Sequence, residues 1–231
     1  MTSAPDGARS AGLAATAPFL NILHADAHLL VLDKPSGLLS VPGRGEDKQD
    51  CLSRRAQARF ADALVVHRLD MATSGLMLMG RGAAMQRALS QMFERREVGK
   101  RYLALVDGHL ASPDDASGWG LIDLPIAVDW PRRPLRVIDA AHGKPSQTRW
   151  RSLGFDAARQ GTRVELEPVT GRSHQLRVHL QALGHPILGD ALYAPEAVRR
   201  KAARLLLHAC TLALAHPATG ARLRFESPPD F

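Results

Sequence analysis

One loop of the sequence carries a side chain suited to acid–base or nucleophilic chemistry. Residues 64–66 and 76–79 are apolar runs of the length of buried strands, and the polar loop between them contains Asp70. A short loop between two core strands holds a carboxylate rigidly, as catalysis requires. From this loop alone, however, the simpler interpretation is structural: Asp70 closes a turn or pairs with Arg68.

A second polar stretch, residues 168–180, supplies a candidate partner for that carboxylate. Thr170 and Gly171 break a strand, and Ser173 is a suitable N-cap for a helix with a stripe of leucines. Arg177 falls on the opposite face in the first turns, where a cation opposes the helix dipole. Because local stability does not explain Arg177, we expect it to face a partner carboxylate or phosphate.

The remaining chemistry-bearing residues exclude several classes of enzyme. His174 and His179 are five positions apart, the wrong spacing for two metal ligands on one helix face, and the sequence contains no HExxH motif. It also lacks the GxSxG elbow of serine hydrolases and the glycine-rich loops of nucleotide-binding enzymes. Tyr102 lies in a predicted buried strand at residues 100–106, where a core tyrosine is the simpler interpretation. Together, Asp70, Arg177 and Tyr102 could act on a polyanionic substrate without a cofactor or metal.

Composition points to nucleic acid as that polyanion. The chain of 231 residues has a formal net charge of +7, with basic clusters that include Arg132 and Arg133. A solvated arginine-rich surface is the alternative, and charge alone does not separate the two. Aromatic residues make up 5% of the chain, too few for an array of base-stacking side chains. The composition therefore favours a nucleic acid that is bound through its phosphates over one that is bound mainly by stacking of its bases.

Residues 1–18 predict a disordered tail that does not resemble a signal peptide, and the length of the chain allows one large domain or two lobes that share a core. The two cysteines have no metal or redox spacing, which predicts reduced thiols in a cytoplasmic protein, and no apolar run is long enough to cross a membrane. The pattern predicts a β-hairpin at residues 147–153 and 162–167, and helices at 52–60, 83–95 and 195–207.

Several motifs together resemble the RluA family of pseudouridine synthases. Residues 67–75 match the family's HRLDxxTSG motif, and residues 171–177 match GRxHQ(I/L)R. The motifs KPxG at residues 34–37, KxY at 100–102 and GHPIxGD at 184–190 follow the family's order. The resemblance covers the chain from about residue 20 onwards. It implies one α/β (α+β) domain at residues 19–231 with the pseudouridine-synthase fold, in which a long mixed and mostly antiparallel sheet has flanking helices and a central RNA-binding cleft. It also implies that the S4 module of larger members is absent.

The resemblance also implies roles for individual residues. Uridine would become pseudouridine by breakage of the bond from C1′ to N1, rotation of the uracil, and joining of C1′ to C5. Asp70 would be the catalytic carboxylate, either adding covalently to the nucleoside or removing the C2′ proton. Arg177 would supply the opposing charge, Tyr102 would stack on the uracil or handle the C5 proton, and Arg68 would fill the gap left by the flipped nucleotide.

The substrates implied are tRNA, at its anticodon loop, and a hairpin loop of 23S rRNA, bound by a monomer without a metal or cofactor. Unpaired loop nucleotides suit such an enzyme because they are already partly unstacked. The alternatives are the same reaction on a different RNA, or a non-catalytic RNA-binding protein. Besides Arg68, the residues expected to bind RNA are His67, Arg172, His174, Lys100, Arg44, Arg132 and Arg133.

Overall fold

A computed structural model describes residues 19–113 and 116–231, so the tail predicted at residues 1–18 lies outside the described part of the chain. The helices are α1 (Leu52–Arg59), α2 (Gly82–Glu94), α3 (Gln175–Ala182) and α4 (Glu196–Arg199). The strands are β1 (Asn21–Ala25), β2 (Leu29–Lys34), β3 (Ala63–Val65), β4 (Ser74–Arg81), β5 (Gly99–Asp107), β6 (Gly120–Asp123), β7 (Ile126–Val128), β8 (Arg136–Ile138), β9 (Gln147–Asp156), β10 (Gly161–Pro168), β11 (Leu207–Ala215) and β12 (Arg222–Glu226).

A long mixed sheet organises these elements, in the order β1-β2-β4-β11-β5-β10-β9-β6, with β3 paired to β4 and β12 to β11. The pairs are antiparallel except β4 with β11, where Ser74 lies opposite His208. This parallel junction is close: Gly75 has φ +106°, and a Cβ there would meet the carbonyl oxygen of Ala209 at 2.3 Å. The junction therefore requires glycine, and it fixes the loop that precedes β4 beside the start of β11.

Strands β2 and β4 are buried on both faces, which explains their continuous apolar sequences. On one face Val31 and Leu78 pack in a cluster with Leu89 of α2, and on the other Leu32 and Met77 pack with α1. A further cluster lies under α3, between β5, β10 and β11. Within the described residues, every helix is too short or too polar to cross a bilayer.

Two of the predicted local structures are wrong. The helix expected at residues 195–207 is limited to α4, because Leu206 instead bonds to the backbones of Leu105 and Leu188 and leads into β11. Ser173 is not the N-cap of α3; His174 occupies that position in the left-handed conformation, with φ 58°. In both places tertiary contacts override the local preference of the sequence.

Candidate active site

The loop carrying Asp70 and the start of α3 meet across a cavity of 520 Å³ near the middle of the sheet. Asp70 lies between β3 and β4, and the lining also includes Arg177 of α3 and Tyr102 of β5. The three residues singled out for chemistry are thus brought together from distant parts of the chain.

The loop at residues 67–73 is held by polar contacts from the segment that follows β2. Ser40 Oγ donates to the carbonyl of Leu69 at 2.7 Å and accepts its N–H at 3.1 Å. Ser36 Oγ donates to the carbonyl of Ala72 at 2.7 Å. Because the backbone on both sides of Asp70 is bonded in this way, the carboxylate has the rigid support that its position between two strands predicts.

Lys34 lies beneath the same loop and is fully buried. Its Nζ donates to the carbonyls of Pro35, Leu38 and Met71 at 2.9, 2.8 and 3.0 Å. Burial lowers the pKa of Lys34 to about 8, although the charge of Asp70 acts in the opposite direction. The ammonium therefore joins the two loops and places a positive charge below the carboxylate at neutral pH.

Arg177 is shared between two carboxylates. Its Nη1 lies 3.5 Å from Oδ2 of Asp70, while Nε and Nη2 donate to Asp190 at 2.8 and 2.5 Å. Burial disfavours the charged guanidinium, but the bonds to Asp190 and the charges of both carboxylates outweigh burial and raise the pKa of Arg177. The guanidinium is therefore a permanent cation facing Asp70.

Asp190 fixes the orientation of that cation. Its side chain is fully buried, and its Oδ1 also accepts the backbone N–H groups of Leu192 and Tyr193, at 2.9 and 3.2 Å. A bidentate bond between a guanidinium and a carboxylate defines the plane of both groups. Nη1 of Arg177 is therefore directed towards Asp70 by contacts that lie outside the cavity lining.

His174 also approaches Asp70, with Nε2 3.9 Å from Oδ2. Its Nδ1 is 2.6 Å from the hydroxyl of Tyr193, and that hydroxyl accepts the N–H of Arg136 at 3.0 Å. Donation of the hydroxyl proton to Nδ1 would place the proton of the neutral imidazole on Nε2, facing Asp70. Burial, reinforced by the charge of Arg177 and opposed by Asp70, lowers the pKa of His174 and favours this neutral ring.

Tyr102 reaches the cavity from β5, where it is partly buried against the cluster under α3. Burial raises the pKa of its hydroxyl, and the negative charge of Asp70 raises it further. The phenol therefore stays protonated at neutral pH. Its ring supplies an apolar surface and its hydroxyl a proton donor beside the carboxylate, a combination that suits a planar, polar base.

Known proteins share both the sequence and the fold. A family model described as RNA pseudouridylate synthase matches residues 28–182. The dual-specificity RNA pseudouridine synthase RluA of Escherichia coli strain K12 is 50% identical over 93% of this chain and 95% of its own length. The chain belongs to the RluA family of pseudouridine synthases. RluA of Yersinia pestis is 46% identical to this synthase, and the match covers 91% of the synthase and 99% of the Yersinia protein.

Solved structures of two human proteins share the fold of the synthase. Human RNA pseudouridylate synthase domain containing 1 has a TM-score of 0.75 and 29% identity, covering 94% of this chain and 86% of that one. Human RNA pseudouridylate synthase domain containing 4 has a TM-score of 0.68 and 26% identity, covering 91% of this chain and 89% of that one. The predicted fold class is confirmed, and family membership makes the synthase an isomerase acting on RNA.

The residues expected to bind RNA divide into two groups. Those lining the cavity of the synthase with Asp70 are Arg68, His67, Lys100, Arg172 and His174. Arg44, Arg132 and Arg133 lie outside that lining: Arg44 is exposed in the loop before α1, and the other two are in the loop between β7 and β8. The residues of the first group therefore lie where a nucleotide beside Asp70 could be contacted, and those of the second group do not line that cavity.

His67 supports the site of the synthase from within the protein. Its Nε2 accepts the N–H of Leu78 at 2.9 Å, and its ring stacks on Phe93 with a centroid distance of 4.5 Å. Burial, aided by the charge of Lys100, lowers the pKa of His67 to about 3. The geometry thus favours a structural role for His67 over the direct RNA contact that the sequence motif suggested.

The neutral state of His67 predicts a pH-dependent stability. The folded pKa is about 3, below the unfolded value of about 6.5. The unfolded state therefore binds more protons between these values, and stability falls as the pH decreases through this window. Between pH 7 and 5, we expect the wild type to lose about 1–2 kcal/mol more of its free energy of unfolding than His67→Gln. Urea denaturation measures this, with the exposed His142→Gln as the control; parallel pH slopes for wild type and His67→Gln would contradict it.

The sequence did not single out three polar residues of the synthase's site. Asp190 is the last residue of the GHPIxGD motif, and the sequence did not predict it as the carboxylate that pairs with Arg177. Lys34 is the first residue of the KPxG motif, and the local sequence pattern does not predict that its side chain is buried. Tyr193 follows Asp190 by three positions, and nothing in the sequence indicates that its hydroxyl bonds to His174.

Proposed function

We propose that Asp70 is the catalytic carboxylate of this pseudouridine synthase and that Arg177 and Tyr102 complete its active site. The distance of 3.5 Å between Asp70 and a cation held in place by a second, buried carboxylate carries the proposal. Arg177 supplies a positive charge that faces Asp70 across a partly closed cavity. An ionised carboxylate is required for attack on the nucleoside and for removal of the C2′ proton alike.

The reaction conserves the atoms of the nucleotide except for one exchanged proton. The bond from C1′ to N1 breaks, the uracil turns within the cavity, and C1′ bonds to C5. The proton on C5 leaves to solvent and N1 gains one. Tyr102 lines the cavity, where it can pack against the turning ring. Its hydroxyl can relay the C5 proton, accepting that proton as its own proton passes to water. No step needs an oxidant, a metal or a cofactor.

Substrate RNA is proposed to present a flipped uridine from a loop. Arg68 is exposed at the cavity and can occupy the gap that the nucleotide leaves in its stack. The relatives named dual-specificity synthases match nearly the full length of this chain. We therefore assign two substrates, the anticodon loop of tRNA and a hairpin loop of 23S rRNA, to a cytoplasmic monomer.

Tritium release tests the proposed function directly. The purified synthase is incubated with tRNA and with 23S rRNA fragments that carry uridine tritiated at C5, and the tritium released to water is counted. We expect release from both RNAs, at one tritium for each modified uridine. Release from one RNA alone would restrict the synthase to a single target, and release from neither would leave an RNA-binding protein without this activity.

A further inference from the structure

A second cavity adjoins the one that holds Asp70. It lies between the β7–β8 hairpin and the segment before α3, and its volume of 750 Å³ is within the range of about 300–1,000 Å³ typical of ligand sites. Gly171 and Arg172 line both cavities. The two cavities therefore adjoin at these residues, and together we call them the groove; a chain with one nucleotide beside Asp70 could place a neighbouring nucleotide in the second cavity.

Trp130 dominates the surface of this second cavity. It is in the loop between β7 and β8, and 66% of its area is exposed. Arg133 covers part of the indole, with its Cζ 4.7 Å from the ring centroid. A large apolar ring left open to water is unfavourable in the free protein, and cations beside an exposed aromatic ring are typical of surfaces that stack nucleic-acid bases.

The loop that presents Trp130 is fixed relative to the active site. Asp129 is largely buried, accepts from Nε of Arg132 at 2.7 Å, and donates its N–H to the carbonyl of Leu135 at 3.1 Å. The hairpin is in turn anchored to the active site by a cluster of Ile126, Val178 and Tyr193. An aromatic ring that is already positioned loses little conformational entropy when a ligand stacks on it.

The charge of the second cavity matches a phosphate backbone. Arg136, Lys144 and Arg172 contribute cations to its lining. Asp139 is an acidic group in the same lining, but its Oδ1 accepts the N–H groups of Ala141 and His142 in a turn. Cations around a planar apolar ring favour a single-stranded nucleotide over an apolar ligand or a protein helix.

We infer that Trp130 is a stacking platform for an unpaired base of the substrate RNA, next to the target uridine. The inference rests on the proposed function, because it requires RNA in the groove with the target uridine beside Asp70. It adds a specificity element to the site. An RNA whose bases are all paired has no base free to stack on Trp130 and gains nothing from this contact.

Binding measurements on variants of the full chain test the platform. The probes are synthetic stem-loops from the tRNA anticodon arm and from a 23S rRNA hairpin, and a fully paired RNA duplex, each labelled for fluorescence anisotropy at fixed salt. We expect Trp130→Ala to raise the Kd for the stem-loops about 5- to 100-fold, the range for loss of one base–aromatic stack. Its Kd for the duplex should match that of the wild type. Leu121→Ala is the matched control, since Leu121 is 57% exposed but lines neither cavity.

Trp130→Phe separates stacking from other effects. This variant keeps an aromatic face, so its Kd should stay within about 3-fold of the wild type, while the quenching of tryptophan emission by bound stem-loop is reduced by the part that Trp130 contributes, with Trp119 and Trp150 still present. If Trp130→Ala binds stem-loops as tightly as Leu121→Ala does, or if the wild type does not bind them, the platform is refuted. Tritium release by the wild type is scored separately, so a failure of the proposed reaction is distinguishable from a failure of the platform.

Discussion

Asp70→Asn is expected to abolish pseudouridine formation while RNA binding persists. The amide has the same shape as the carboxylate but can neither attack the nucleoside nor accept the C2′ proton, so turnover should fall by about 10⁴-fold or more. The Kd for the stem-loops should change by no more than a few-fold, because Asp70 faces Arg177 and carries no positive charge towards phosphate. Tritium release and anisotropy measure the two effects.

An exposed carboxylate provides the control for this variant. Asp47→Asn makes the same chemical change outside the cavity lining and should keep wild-type turnover. Thermal unfolding of Asp70→Asn confirms that the protein is folded under assay conditions. Appreciable tritium release from the folded Asp70→Asn protein would refute the assignment of Asp70 as the catalytic carboxylate.

Arg177→Met is expected to reduce both stability and turnover. The change leaves the carboxylate of Asp190 buried without its partner, and breaking a buried ion pair in this way costs about 3–5 kcal/mol of unfolding free energy. Turnover should fall far more than RNA affinity, because Arg177 is almost fully buried and faces Asp70 rather than solvent. A loss that falls mainly on RNA affinity would make Arg177 a phosphate contact instead.

The double variant Arg177→Met, Asp190→Asn separates the two effects. The asparagine is neutral and its carbonyl can still accept from the N–H groups of Leu192 and Tyr193, so no buried charge is left unpaired. We expect the double variant to recover part of the stability lost in Arg177→Met, as a coupled pair does in a double-mutant cycle. Turnover should stay low in both, because both proteins lack the guanidinium that lies 3.5 Å from Asp70. Recovery of turnover together with stability would show that Arg177 acts only through the fold.

The local sequence was sufficient to predict much of the framework. The helices at α1 and α2 and the hairpin of β9 and β10 lie close to their predicted positions. These elements have a clear hydrophobic period or alternation, and their packing agrees with it. The helix expected at residues 195–207 failed because Leu206 and Leu207 pair with strands far away in the sequence. No local pattern reports such a partner.

The sequence by itself determined the family and the chemistry, because the motif around Asp70 and the unexplained charge of Arg177 are properties of residue type and spacing. The tertiary structure alone decided which carboxylate holds Arg177, which face of His174 meets Asp70, and that Trp130 stays exposed beside the groove. The residues concerned are far apart in the sequence, and the folded chain brings them together. The energies of their interactions depend on distance and burial, which are defined only after folding.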